Sequence, residues 1–221
     1  MSRSTSTARQ YTRGERVRRI AVFGISRSGK DYSIDGAVER LASKGHPFRH
    51  VSMIGTVHQL LGNRKLSQMG EKEKLDLMDR ARMELDSASV FRNIIVDEHY
   101  CFPVTYGGKV IHSGYVDEKL PSRVVYDDDL DRSYEVVFIE SEIKKYEIVF
   151  YLDIPAEIVL DRFRSSEGSK RNNLITLEDV RKWILFEKFS LRDLCRKYSI
   201  PFVTLTDPRR TFEDIAEILS R

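Results

Sequence analysis

The chain has 221 residues and a formal net charge of +3, with 41% hydrophobic and 32% charged residues. That suits one α/β domain with a full core and excludes a disordered chain. No apolar run approaches the length of a bilayer span, which excludes a membrane-spanning helix.

Cys101 and Cys195 are far apart and fit no metal-ligand spacing, so reduced, buried thiols are expected rather than a disulfide scaffold. The N-terminal stretch has scattered arginines with no apolar segment behind them, so it lacks the middle region of a secretory signal and a cytoplasmic enzyme is expected. Arg3, Arg9, Arg13, Arg16, Arg18 and Arg19 face Glu15 alone within the first twenty residues. Residues 1–18 therefore read as a flexible basic arm. It is open to two readings, a contact with nucleic acid or an acidic partner, and a solubilising tail.

In chain order, the short apolar run Arg19 to Phe23 predicts a strand, and Ile34, Val38, Leu41 and Ala42 share one face of a helix that Gly45 ends. "FRHVSMIG" predicts a second strand and "TVHQLLG" a short helix. Between Glu71 and Ala88, Leu75, Met78, Ala81 or Arg82, and Leu85 line one side of a longer helix. "RNIIVDEHY" reads as a central parallel strand that ends in an acid. "VTYGGKVIHSGY" holds a Gly107-Gly108 turn between alternating residues, "YDDDLDR" an acidic loop, and "EVVFIE" a further strand. "YEIVFYLDIP" is a buried strand stopped by Pro155, with a helix from Ala156 to about Ser165. Thr176 with Asp179 three residues on is a capping box opening a helix through Tyr198. "PFVTLT" and "TFEDIAEILS" give a last strand and helix.

Strands alternating with helices imply βαβ units and a mostly parallel sheet covered on both faces. Ligands of such sheets sit beyond the carboxyl ends of the strands, where Gly24, Asp97 and Asp153 fall.

Gly24, Ile25, Ser26, Arg27, Ser28, Gly29 and Lys30 match G-x-x-x-x-G-K. In this pattern backbone N–H groups curl around phosphate oxygens and the following helix presents its unpaired donors and positive dipole end. Lys30 adds a point charge for the outer phosphates. Asp31 stands where a hydroxyl normally ligates Mg²⁺. A carboxylate is also a hard ligand for that ion, so Asp31 implies stronger dependence on the cation rather than a dead site. Asp97, ending "IIVD", is placed to complete the metal site. His99 is open to two readings, a contact with a substrate phosphate or base, and a packed histidine. Arg162 and Arg164, then Lys170 and Arg171, suit a closing segment that neutralises a migrating phosphoryl group. Arg80 and Arg82 offer cations for an acceptor's phosphate.

The succession "GISRSGKD", "VSMIGTV", "IIVDEHY", "FYLDIPAEIVLDRFRSSEGSKRN" and "TLEDVRKWILFEKF…PFVTL" resembles the P-loop nucleoside monophosphate kinases. Among them it is most similar to the archaeal-type adenylate kinases. The resemblance runs from Arg19 onward, and only the loop is individually specific. It implies a P-loop NTPase fold with a five-stranded parallel sheet, an acceptor region about residues 55–90 and a lid about residues 162–175. It also implies ATP as donor with Mg²⁺. Gly24, Ser28, Gly29, Lys30 and Asp31 would then hold the donor phosphates and Asp97 the metal, with Gly55 and Thr56 on the acceptor side and Arg162 and Arg171 in the lid. Three features depart from the family: Asp31, a longer acidic stretch at residues 101–146, and a lid thinner in arginine. "SGKD" also resembles loops of a phage deoxynucleotide kinase and of animal phosphomevalonate kinase. Alternative readings are a polynucleotide or small-metabolite kinase and a nucleotide-binding switch or assembly ATPase.

Overall fold

The computed structural model describes residues 17–62, 64, 68–90, 92–106, 109–110, 123–165 and 174–221. Five strands, β1 (Arg19–Phe23), β2 (Phe48–Ser52), β3 (Asn93–Asp97), β9 (Ile148–Leu152) and β10 (Phe202–Leu205), form one sheet in the order β10-β9-β1-β3-β2. Every pairing in it is parallel. The three inner strands are almost wholly apolar and buried because both faces of a parallel sheet are covered. The edge strands β2 and β10 are half-exposed.

Helices α1 (Lys30–Ser43), α2 (Met53–Leu61), α3 (Glu71–Ala88), α4 (Ala156–Ser165), α5 (Leu177–Lys197) and α6 (Thr211–Leu219) flank the sheet. The expected α/β architecture with a five-stranded parallel sheet is therefore present, and a central strand runs straight into the glycine-rich loop. None of these helices is long and apolar enough to cross a membrane.

Several local expectations shift. The second strand stops at Ser52, which caps α2 by accepting from the Gly55 N–H at 3.1 Å. On α1 Ala42 is exposed, and the buried face runs through Ser33, Ile34, Ala37 and Leu41. The inward stripe of α3 passes through Lys74, Leu77, Ala81 and Leu85, and α2 packs against this helix. The capping box at Thr176 and Asp179 is formed in both directions, at 3.1 and 2.9 Å.

The described residues between 101 and 146 hold more structure than their sequence suggested. Strand β4 (Cys101–Pro103) pairs antiparallel with β8 (Arg132–Val136), which pairs with β7 (Arg123–Asp127). The acidic stretch is thus the turn of a β7–β8 hairpin, and the expected "EVVFIE" strand lies earlier, with two partners. Strands β5 (Thr105–Tyr106) and β6 (Lys109–Val110) pair antiparallel, while the two glycines between them lie outside the described residues. A 3₁₀ helix, Glu140–Lys145, leads into β9. This small sheet is fastened to α5: Tyr134 stacks on Phe186 with centroids 4.0 Å apart, and the Trp183 indole N–H donates to the Cys101 carbonyl at 3.1 Å.

The basic arm through residue 16 lies outside the described residues. The two arginines that end the basic cluster of the first twenty residues, Arg18 at the end of the expected arm and Arg19 at the start of the expected strand, are held by the fold. Arg18 pairs with Glu147 at 3.0 Å and donates to the Leu219 carbonyl. Arg19 is buried against Asp86, Glu142 and the Tyr146 ring. A β1 residue flanked by apolar neighbours is drawn inward, and its charge is neutralised there by partners distant in sequence.

Cys101 and Cys195 are free and buried. Beside Cys101, Glu187 is fully buried, and its carboxylate accepts from the thiol at 3.7 Å. Burial pushes Glu187 from 4.5 up to about 7, against the weaker pull of Lys30. The folded chain therefore keeps a proton that the unfolded chain has released. Glu187 favours folding below its unfolded value, and that contribution is lost as pH rises from about 4.5 to about 7. Urea unfolding across that window is expected to show stability falling with pH, and Glu187→Gln is expected to remove its share of the slope. An unchanged slope in the variant would place the titration elsewhere.

Candidate active site

The chain leaves β1 into a loop whose backbone only a few residue types tolerate. Gly24 has φ +154°, Arg27 +67° and Gly29 +97°. A Cβ at Gly24 would lie 2.7 Å from Ser28 Oγ and 3.3 Å from the Leu152 carbonyl oxygen. One at Gly29 would lie 3.0 Å from Arg162 Nη1. Glycine at both positions keeps the cup open where a phosphate would approach the backbone. Gly29 is also the N-cap of α1, with no side-chain cap, so the helix's first N–H groups are left for a ligand.

Because β1 and β3 are neighbours with Val22 opposite Asp97, the loop and the acid meet at one sheet edge. Lys30 Nζ donates to the Gly24 carbonyl at 2.7 Å and lies 3.6 Å from Asp97 Oδ1 and 3.4 Å from His99 Nε2. Burial pushes Asp97 above its ordinary range; Lys30 opposes that shift and Asp31 adds to it. Burial first, then the Lys30 charge, hold His99 well below its ordinary value, so the imidazole is neutral beside the ammonium. The preceding Glu98 is buried, raised to about 7 by burial, and accepts from the Tyr146 hydroxyl at 2.6 Å. The Val137 and Phe138 N–H groups both donate to the Tyr100 carbonyl, so the small antiparallel sheet holds the segment just after Asp97.

From the opposite side, Arg162 in the last turn of α4 donates through Nη1 to the Ser28 carbonyl at 2.7 Å and the Arg27 carbonyl at 3.1 Å. Loop, β3 and α4 thus enclose a cleft of about 1010 Å³. The loop lines it from Ser26 to Asp31, β3 and its extension with Asp97 and His99, α2 with Ser52, Ile54 and His58, and α4 with Arg162, Phe163 and Ser165. Ile154, Pro208 and Thr211 also line it.

The structure therefore brings Ser26, Arg27, Ser28, Gly29, Lys30, Asp31, Asp97, His99 and Arg162 to one cleft. Gly24 and Ile25 are buried behind the loop. Gly55 and Thr56 do not line the cleft; Gly55 donates its N–H to Ser52 Oγ and Thr56 its hydroxyl to the Ser52 carbonyl, both within the first turn of α2. Arg80 is exposed on α3, and Arg82 bonds Asp79 at 3.1 Å, so neither lines the cleft. Asp153 turns to Lys188 at 2.9 Å. Arg164 is exposed outside the cleft, and Lys170 and Arg171 lie outside the described residues.

Sequence reasoning missed Ser52, Ile54, His58 and Thr211. Ser52 had a signal: it ends the strand that pairs with β3, directly opposite Asp97. It also missed His50. One ligand atom from each of Asp31, His50 and Asp97 lies within 4.8 Å of the others. Asp97 Oδ1 and Ser28 Oγ are buried without a hydrogen-bond partner. Orphaned oxygens beside an uncapped helix start fit a hard divalent cation and a phosphate oxygen, and a cation there would favour the ionised form of Asp97.

No protein-family model matches the chain, and a search of curated proteins found no match. Among solved structures it is similar to a deoxyadenosine kinase from M. mycoides with bound dATP, at 17% identity and TM-score 0.49, covering 92% of this chain and 100% of that one. It is also similar to a shikimate kinase from Acinetobacter baumannii in complex with shikimate, at 16% identity and TM-score 0.49, with 92% of each chain covered. A third is an unliganded sugar kinase from Janibacter sp., at 14% identity and TM-score 0.46, covering 92% and 95%. At such distance these similarities assign neither substrate nor activity.

Gly29→Ala places a methyl against Arg162 in a left-handed backbone, so it is expected to weaken binding of inorganic tripolyphosphate at least about tenfold and to cost roughly 1–3 kcal/mol of stability. Calorimetric titration with tripolyphosphate and urea unfolding check both; unaltered binding would mean that the loop is not the anion cup.

Proposed function

We propose that this chain is a Mg²⁺-dependent ATP phosphotransferase of P-loop kinase type with a small-molecule acceptor. The observation that carries the reading is the position of Lys30. Its ammonium lies within the loop cup, 3.6 Å from Asp97 on the neighbouring strand, with Arg162 gripping the loop from the far side.

The amides from Gly24 to Lys30 take the donor's outer phosphates, and Lys30 exchanges the Gly24 carbonyl for a phosphate oxygen. Arg162 fixes the loop's curvature through two carbonyls and leaves its remaining guanidinium N–H groups for charge that develops during transfer. Asp31 and Asp97 would hold Mg²⁺, which would supply neutralisation of phosphate charge. Ser52 and His58 at the α2 end of the cleft offer polar groups to an acceptor. The chain's contribution is positioning and charge neutralisation, with no covalent enzyme intermediate.

For the acceptor, the nucleoside monophosphate reading rests on the resemblance in motif order. A second reading, a less charged small metabolite, is favoured by one observation. Among the described residues, Arg27, Lys30 and Arg162 are the lysines and arginines that line the cleft, each in the phosphate loop or bonded to it, whereas Arg80 and Arg82 stand outside it.

ATP consumption measured against nucleoside monophosphates, small metabolites and 5′-hydroxyl oligonucleotides should show strong stimulation by one small-molecule class. Lys30→Met is expected to lower that stimulated rate on the order of 10²–10³-fold. Nucleotide-dependent partner capture without stimulation by any acceptor would instead make the chain a switch ATPase.

A further inference from the structure

His50 stands on β2, outside the phosphate loop, yet it reaches the loop's mouth. Residues two apart on a strand share a face, so His50 points with Ser52, whose strand partner is Asp97. His50 Nδ1 lies 2.8 Å from Asp35 Oδ1, one turn along α1 from Asp31. A carboxylate at that distance keeps the ring proton on Nδ1 and leaves the Nε2 lone pair bare. Nε2 is buried, has no hydrogen-bond partner, and lies 3.9 Å from Asp31 Oδ1, beyond hydrogen-bond reach. Asp97 Oδ1 is likewise buried without a hydrogen bond; Lys30 Nζ stands 3.6 Å from it on the loop side, and Ser52 Oγ donates to Oδ2 at 3.5 Å.

Two carboxylates and an imidazole lone pair thus converge within 4.8 Å, with a carboxylate behind the imidazole. This is the arrangement in which an outer carboxylate orients a histidine ligand. We infer that Asp31, His50 and Asp97 form a mixed nitrogen–oxygen site for a divalent transition metal such as Mn²⁺, aligned by Asp35 and able to hold the ion without nucleotide. The inference rests on the phosphotransfer reading for its purpose, and on these four side chains alone for its geometry. A phosphotransferase Mg²⁺ is usually held by one or two carboxylates plus substrate phosphates, so a protein-only site is weak for it. An imidazole donor shifts preference from Mg²⁺ towards Mn²⁺ and its heavier neighbours.

The test is titration of the full, nucleotide-free chain with Mn²⁺, reading the free ion by electron paramagnetic resonance and competing with Mg²⁺. One Mn²⁺ per chain is expected, displaced only by at least about tenfold more Mg²⁺. His50→Ala should weaken Mn²⁺ binding by about 10–100-fold while changing Mg²⁺ binding far less. Asp35→Asn, with a near-native ring position but a less basic partner, should fall at the low end of that range because Asp35 is exposed. Circular dichroism checks folding, and Asp35→Asn carries the test alone if His50→Ala does not fold. No Mn²⁺ bound without nucleotide, equal competition by Mg²⁺, or unchanged Mn²⁺ affinity in the folded variants would overturn the site. If ATP binds with Mg²⁺ while that Mn²⁺ site is missing, the inference falls and the kinase reading stands. A Mn²⁺ site in a chain that binds ATP with neither ion gives the reverse.

Discussion

The constraint on which the cleft depends is the parallel pairing of β1 with β3. With Val22 opposite Asp97, the end of one strand delivers the phosphate loop and the end of its neighbour delivers an acid, at the same edge and height. Lys30 then finds a carboxylate 3.6 Å away instead of solvent, and both groups can stay buried because each partly neutralises the other. A slip of one residue in that register would send Asp97 to the other face of the sheet.

Around this pair the remaining structure acts as support. Arg162 bonds two loop carbonyls from a helix more than a hundred residues away. Within residues 101–146, strands β4, β8 and β7 form a small antiparallel sheet that holds the chain after Asp97 through the Tyr100 carbonyl and is itself anchored on α5 by Trp183 and Tyr134. Thus the acidic insertion, far from the loop in sequence, helps to position the acid. Glu98 and Glu187 stay buried in the same supporting layer, where burial raises both to about 7.

Much of this was legible in the residues. The glycine-rich loop, the apolar strand before it and the acid after "IIV" are local patterns, and each lies where its spacing indicated. The capping box at Thr176 and the stop at Pro155 are equally local, since a cap or a missing N–H acts within one turn. The contents of residues 101–146 were not legible, because β4 and β8 find each other across some thirty residues and neither shows a full alternating run. Arg18 read as the end of a basic arm, and the neutralisation of Arg19 was not legible, for a similar reason: their partners, Glu147, Asp86 and Glu142, are distant in sequence.

The sequence by itself determined the loop's chemistry, the alternation of strands with helices and the presence of an acid at a strand end. All of these follow from backbone allowance and hydrophobic period over a few consecutive residues. Only the tertiary structure decided which side chains share the cleft. It brought His50 to Asp31 and Asp97, placed Arg162 against the loop, and left Arg80 and Arg82 outside. Strand order and helix rotation set those neighbours, and both are fixed by packing between segments whose separation along the chain carries no local signature.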